Sequence, residues 1–147
     1  GALDEKVNAE ANWNYVTQQT ADWDEATAKT ITQSVIDSGK PFNVIYAENN
    51  GMARGAVAAL DAAGITHGKD GDVIVMGFDS DKWAFEAVLN GSWNYMGLCN
   101  PLQADTVDSI IKDLVAGNAP AQKIIYTPEQ GFDCDTLTQA DVDTYGT

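Results

Sequence analysis

The stretch NVIYAENNGMARGAVAALDAAG, residues 43–64, changes its period in mid-course. With Phe42 it opens on a short unbroken apolar run, FNVIYA, which suits a strand covered on both faces. After Asn49, Asn50 and Gly51, the residues Met52, Ala56, Val57, Leu60 and Ala63 fall on one face of a helix, and Gly64 stands where a left-handed C-terminal cap belongs. Strand, polar turn and helix make half of a βαβ crossover.

The same alternation extends both ways. Upstream, Ala28, Ile31, Val35 and Ile36 recur at helical spacing in TADWDEATAKTITQSVIDSG, Asp22 with Glu25 resembles a capping box, and Gly39 follows the end. Before it, WNYVTQQ (residues 13–19) has the aromatic and β-branched content of a strand, and LDEKV reads as the close of a helix. Downstream come a buried strand DVIVMGFD, a helix DKWAFEAVLNG ending at Gly91, and a strand WNYMGLC. A helix over 104–116 carries Val107, Ile110, Ile111, Leu114 and Val115 on one face, and KIIYT reads as a last short strand. The tail from Pro128 is expected to be irregular apart from a short helix at 138–142. Alternating helices and continuous apolar strands predict an α/β fold, a three-layer, Rossmann-like, mostly parallel sheet with helices on both faces.

Composition narrows the function. The 147 residues hold 44% hydrophobic and 20% charged side chains, enough apolar surface for a real core. Acidic residues outnumber basic ones 22 to 8, a formal net charge of −14 that repels nucleic acid and anionic lipid. No apolar run approaches the roughly 20 residues of a membrane helix. The first residues read like the interior of a helix, so a natural start upstream of Gly1 is expected. Cys99 and Cys134 lack CxxC spacing and a nearby histidine, which argues against zinc. A disulfide between them is left open.

In open parallel sheets ligands bind beyond the carboxyl ends of strands. Three such ends carry polar residues: Asn49 and Asn50, Asp79 and Asp81, Cys99 and Asn100. Asn50, Ser80 and Asp81 read as helix N-caps. Asn49 and Asp79 stand one step earlier, surplus to capping, and are the candidates for ligand contact. Trp23, between Asp22 and Asp24 at a helix start, is awkward for a core residue; its flat indole can stack on a sugar ring while carboxylates and carboxamides take the hydroxyls. That chemistry fits a neutral polyol. Trp83 and Trp93 lie at core-facing spacing. His67, in GITHGKDG, reads as a solvated loop residue outside any triad. An aspartate after a strand, like Asp79, can accept a phosphoryl group, but the acidic pair and the lysine that such chemistry needs are not visible. No catalytic residue, metal or cofactor is expected.

QTADWDEATA, NVIYAENNGMARGAVAALDAAG, GDVIVMGFDSD and GLCNPLQAD together resemble, in order and spacing, the C-terminal half of the type I periplasmic sugar-binding proteins of ABC transporters, of the ribose-, galactose- and galactofuranose-binding kinds. The resemblance covers residues 19–117. It implies a clamshell of two lobes closing on one monosaccharide, with Trp23 stacking on the sugar and Asn49 and Asp79 holding hydroxyls. Cys99 departs from the polar amide common in relatives, so either Asn100 substitutes or that contact is lost. It further implies that residues 1–117 are the greater part of one lobe, lacking its first strand and the whole N-terminal lobe, with 118–147 a terminal strand and tail. The helix over 104–116 would normally pack on that other lobe, so association with the missing half or with a second copy is expected. The implied partners are a monosaccharide and a transporter membrane component, with no nucleic acid, in a periplasmic or extracellular setting. The alternative is the effector-binding domain of a LacI-type transcription repressor, which shares the fold and the GFD strand.

Overall fold

The computed structural model describes residues 2–120 and 122–147. Among the described residues, six helices and four strands follow in the order α1 (Ala2–Ala9), α2 (Glu25–Asp37), β1 (Val44–Tyr46), α3 (Asn50–Ala63), β2 (Ile74–Asp79), α4 (Lys82–Leu89), β3 (Tyr95–Leu98), α5 (Ala104–Val115), β4 (Gly131–Asp133) and α6 (Gln139–Tyr145). The sheet has the order β1-β2-β3-β4, with the first three strands parallel and β4 antiparallel to β3. This is the expected mixed α/β class, a mostly parallel sheet flanked by helices.

One core lies between the inward sheet face and the helices. Val75 and Met96 from the strands, Leu60 from α3, Phe85 and Val88 from α4 and Val142 from α6 are wholly buried. The α2–α3 pair is close because small residues face each other there. Ala28 of α2 and Ala56 and Ala59 of α3 are buried, and a Cβ on Gly55 would strike the carbonyl oxygen of Glu25. Gly64 caps α3 in the left-handed region at φ 68°, where a side chain would be strained.

Several local expectations are overturned. Residues 13–19 form no strand, and the sheet begins at β1, the edge. Edge position leaves Val44 47% and Tyr46 38% exposed, so β1 is not covered on both faces. The cap of α2 is Asp24, which accepts from the Thr27 backbone N–H at 2.7 Å, and not Asp22. Hydrogen bonding from the Thr27 side chain and then from its backbone N–H holds the Asp24 carboxyl below its usual pKa. KIIYT is not a strand; the last strand is Gly131–Asp133, inside the stretch expected to be irregular. There Phe132 packs edge-on against Phe85, a long-range contact with no periodic signature. The short terminal helix is present, with Thr138 and Asp141 forming a reciprocal capping box.

Helix α5 forms as expected, yet none of its residues is buried and Val107, Ile111, Leu114 and Val115 all face solvent. His67 is no free loop residue. Its ring spans the Ser92 carbonyl at 2.8 Å and the Asp61 carboxylate at 3.0 Å, tying the loop before β2 to the turn after α4. Cys99 and Cys134 are both free thiols.

Candidate functional site

Because β1, β2 and β3 run parallel, their carboxyl ends emerge along one edge of the sheet. Continuation of the ladder fixes their spacing: the Ala47 N–H donates to the Met76 carbonyl and the Cys99 N–H to the Asp79 carbonyl, each at 3.1 Å. Asp79 itself pairs with Leu98 in the β2–β3 register. Asn49, Asp79 and Cys99 are therefore carried side by side by the backbone.

Asn49 and Asp79 meet directly. Asn49 Nδ2 donates to Asp79 Oδ2 at 2.6 Å, and the Asn50 backbone N–H donates to the same oxygen at 3.3 Å. Burial pushes the Asp79 carboxyl above its usual pKa; the two donors pull it back, while the charge of Asp81 adds to the rise. The Asp79 backbone is in an unusual conformation, φ 138°, which a side chain rarely adopts.

The two asparagines have exchanged the expected roles. Asn49 is the N-cap of α3, its Oδ1 accepting from the Met52 N–H at 3.0 Å. Asn50 is the first residue of the helix and wholly buried, donating from Nδ2 to Asp81 Oδ2 at 3.0 Å. Its Oδ1 has no hydrogen-bond partner among the described residues and points at Gly77, where a Cβ would lie 2.6 Å away. Asp81 occupies the cap position of α4 without making a capping bond. Ser80, also expected to cap, bonds Thr147 instead, hydroxyl to hydroxyl at 2.8 Å.

Trp23 is 76% exposed and has φ 58°, with Asp22 before it at φ 49°. It touches neither Asn49 nor Asp79 through any ring contact or hydrogen bond in the structure. Its helix start is nevertheless pinned beside the opening turns of α3: Arg54 donates to Glu25 Oε2 from Nε at 2.9 Å and from Nη2 at 2.6 Å. The same guanidinium lies 4.3 Å over the Trp83 ring. Trp93 is buried as expected, and Trp83 packs edge-on against it at 5.8 Å, half covered.

Asn100 turns back on its own loop. Its Oδ1 accepts from the Leu102 N–H at 2.9 Å and its Nδ2 reaches the Pro128 carbonyl at 3.5 Å. Cys99, one residue earlier, is exposed, and its tie to Asp79 is through the backbone N–H. Sequence reasoning missed Arg54 and Thr147, whose partners lie 29 and 67 residues away along the chain. No local pattern signals either. Hollows lie away from the rim at Asn49, Asp79 and Cys99, one lined by α5 with Pro120 and Ile125, another between Val16, Thr17 and Gln19 and the end of α2.

An α/β domain with polar side chains massed at the carboxyl ends of parallel strands defines a class of ligand-binding domain. The chain belongs to the periplasmic binding protein domain family, whose family model matches residues 2–119. It is 30% identical over 132 residues to the Fructose import binding protein FruE of Bifidobacterium longum, covering 88% of this chain and 39% of that protein. It is 29% identical over 80 residues to the Ribose import binding protein RbsB of Bacillus subtilis, covering 54% of this chain and 24% of that protein. Among solved structures, a Mycobacterium smegmatis protein in complex with β-D-fucofuranose superposes with a TM-score of 0.77 at 27% identity, covering 97% of this chain and 44% of that one. The periplasmic binding protein component of the arabinose ABC transporter of Shewanella sp. ANA-3 has the same fold, TM-score 0.84 at 24% identity, over 97% of this chain and 47% of that one. The chain spans less than half the length of these relatives.

Proposed function

We propose that this chain is one lobe of a solute-binding component of an ABC transporter, that it contacts a neutral monosaccharide held between two lobes, and that it performs no catalysis. The observation that carries this is the Asn49–Asp79 pair. Asn49 spends one N–H on Asp79 and its oxygen on the helix cap, so its second N–H is left for a ligand. Asp79 takes both its donors on Oδ2, while Oδ1 makes no hydrogen bond among the described residues. One N–H donor next to one carboxylate acceptor matches two neighbouring hydroxyls of a sugar, since a hydroxyl both donates and accepts.

Charge at the rim points the same way. Glu48, Asp79 and Asp81 stand there, and the nearby cation Arg54 is taken up by Glu25 and Trp83. An anionic sugar would meet repulsion from these carboxylates, with Arg54 already engaged. The exposed Trp23 offers an indole face for the C–H side of a pyranose or furanose ring. Fructose, ribose and arabinofuranose, named for the relatives, are the first candidates. Delivery to a membrane component, in a periplasmic or extracellular location, belongs to the same reading. The test is calorimetry with fructose, ribose and arabinose against wild type and Asp79→Ala. Binding of at least one sugar that Asp79→Ala abolishes is expected; a sugar bound equally by both proteins would remove Asp79 from the site.

A further inference from the structure

Asp79 is held in its unusual conformation from three sides. The Asn49 amide and the Asn50 N–H grip its carboxylate from α3, and the Cys99 N–H holds its carbonyl from β3. The third grip is on the next residue. Ser80 is buried, and its carbonyl accepts from the Thr147 backbone N–H at 2.8 Å. The two hydroxyls bond at 2.8 Å, the Thr147 hydroxyl also reaches the Ser80 carbonyl at 3.4 Å, and the Lys82 N–H donates to the main-chain oxygen of Thr147 at 3.2 Å. The tail thus grips the chain directly behind Asp79, on both sides of the residue that begins the approach to α4. A non-glycine residue at positive φ persists only where its surroundings over-determine it.

We infer that Thr147 is a positioning residue for the rim: its clamp on Ser80 holds the Asp79 turn so that the carboxylate meets Asn49. Thr147 lies behind the turn and acts on the ligand only through Asp79. The clamp also gives the terminal helix α6 a role beyond core filling. By packing Val142 into the core, α6 brings Thr147 to Ser80, so the tail and the strand-end rim fold as one unit.

Two measurements test this, and only the second rests on the sugar-binding proposal. First, the side-chain amide signal of Asn49 is followed by NMR in wild type, Thr147→Val and Thr147→Ser. Valine keeps the backbone bonds and the shape but removes the hydroxyl, whereas serine keeps it. The Asn49 signal is expected to shift and exchange faster in Thr147→Val and to return in Thr147→Ser. Gly64→Ala, strained at a remote helix end, is the control for mere loss of stability and should leave that signal in place. Second, affinity for whichever of fructose, ribose or arabinose binds wild type should fall about three- to tenfold in Thr147→Val, the worth of one neutral hydrogen bond. Should Thr147→Val not fold, Ser80→Ala breaks the hydroxyl–hydroxyl bond from the other side and takes its place. An unmoved Asn49 signal in the hydroxyl-deleted protein overturns the clamp, whether or not any sugar binds. If none of the three sugars binds wild type, the proposed function loses its support while the NMR result still decides the role of Thr147.

Discussion

Asn49 Nδ2 lies 2.6 Å from Asp79 Oδ2, across a gap of 30 residues in the chain. Two side chains that each read as a separate reach toward a ligand hold each other first. The bond orients both, and its cost is a carboxylate kept partly out of water.

That cost has a sign. Burial raises the Asp79 carboxyl pKa above 3.8, so the folded protein holds this proton more tightly than the unfolded chain does. The stabilisation from protonation is full below 3.8 and is lost as pH rises through the folded value. Asp79→Asn, which never ionises, is therefore expected to melt higher than wild type at pH 7, with the gap closing as the pH falls toward 3.5 or so. Melting curves across that range check it; a gap that is constant with pH would contradict the shift.

Trp23 combines large exposure with a left-handed backbone. Trp23→Gly removes no core contact and relieves the strain, so stability should rise by about 1 kcal/mol. Sugar binding should fall in the same variant. Denaturant midpoints and calorimetry measured together would show opposite movements; a loss of stability would mean that the indole packs on something.

Gly55 sits where α3 touches the Glu25 carbonyl. Gly55→Ala would force the α2 start away from α3 and should cost about 1–3 kcal/mol by overpacking, despite the better helix propensity of alanine. Urea unfolding reads the cost, and a stabilised variant would show that the helices separate freely.

Leu60 and Leu114 occupy equivalent apolar stripes on α3 and α5. Leu60 is fully buried and Leu114 is 54% exposed. Leu60→Ala is expected to lose about 2–5 kcal/mol, and Leu114→Ala to stay within about 0.5 kcal/mol. Comparable losses in urea unfolding would mean that α5 is covered in solution.

Much of the scaffold was legible because its signals are local. The apolar run of β2, the stripe of α3 with Gly64 behind it and the short helix from Thr138 each rest on residues within a turn or two of one another. The aspartate and asparagine at the strand ends could be picked out because parallel strands bring their carboxyl ends to one edge. The misses share the opposite character. WNYVTQQ has strand composition but no strand pairing, and GFD at 131–133 has little composition to mark it yet finds β3 as a partner and Phe85 as a contact.

Sequence alone determined the helices and the three parallel strands, their order, the class of fold and the polar character of the strand ends, since propensity and periodicity act over a few residues. Tertiary structure decided that Asn49 caps and Asn50 is buried, that Arg54 ties the start of α2 to α3 and Thr147 bonds Ser80, and that one amphipathic helix is covered and another bare. Those outcomes depend on which distant groups arrive within hydrogen-bonding or van der Waals reach, energies that fall away within a few ångströms and leave no trace in local spacing.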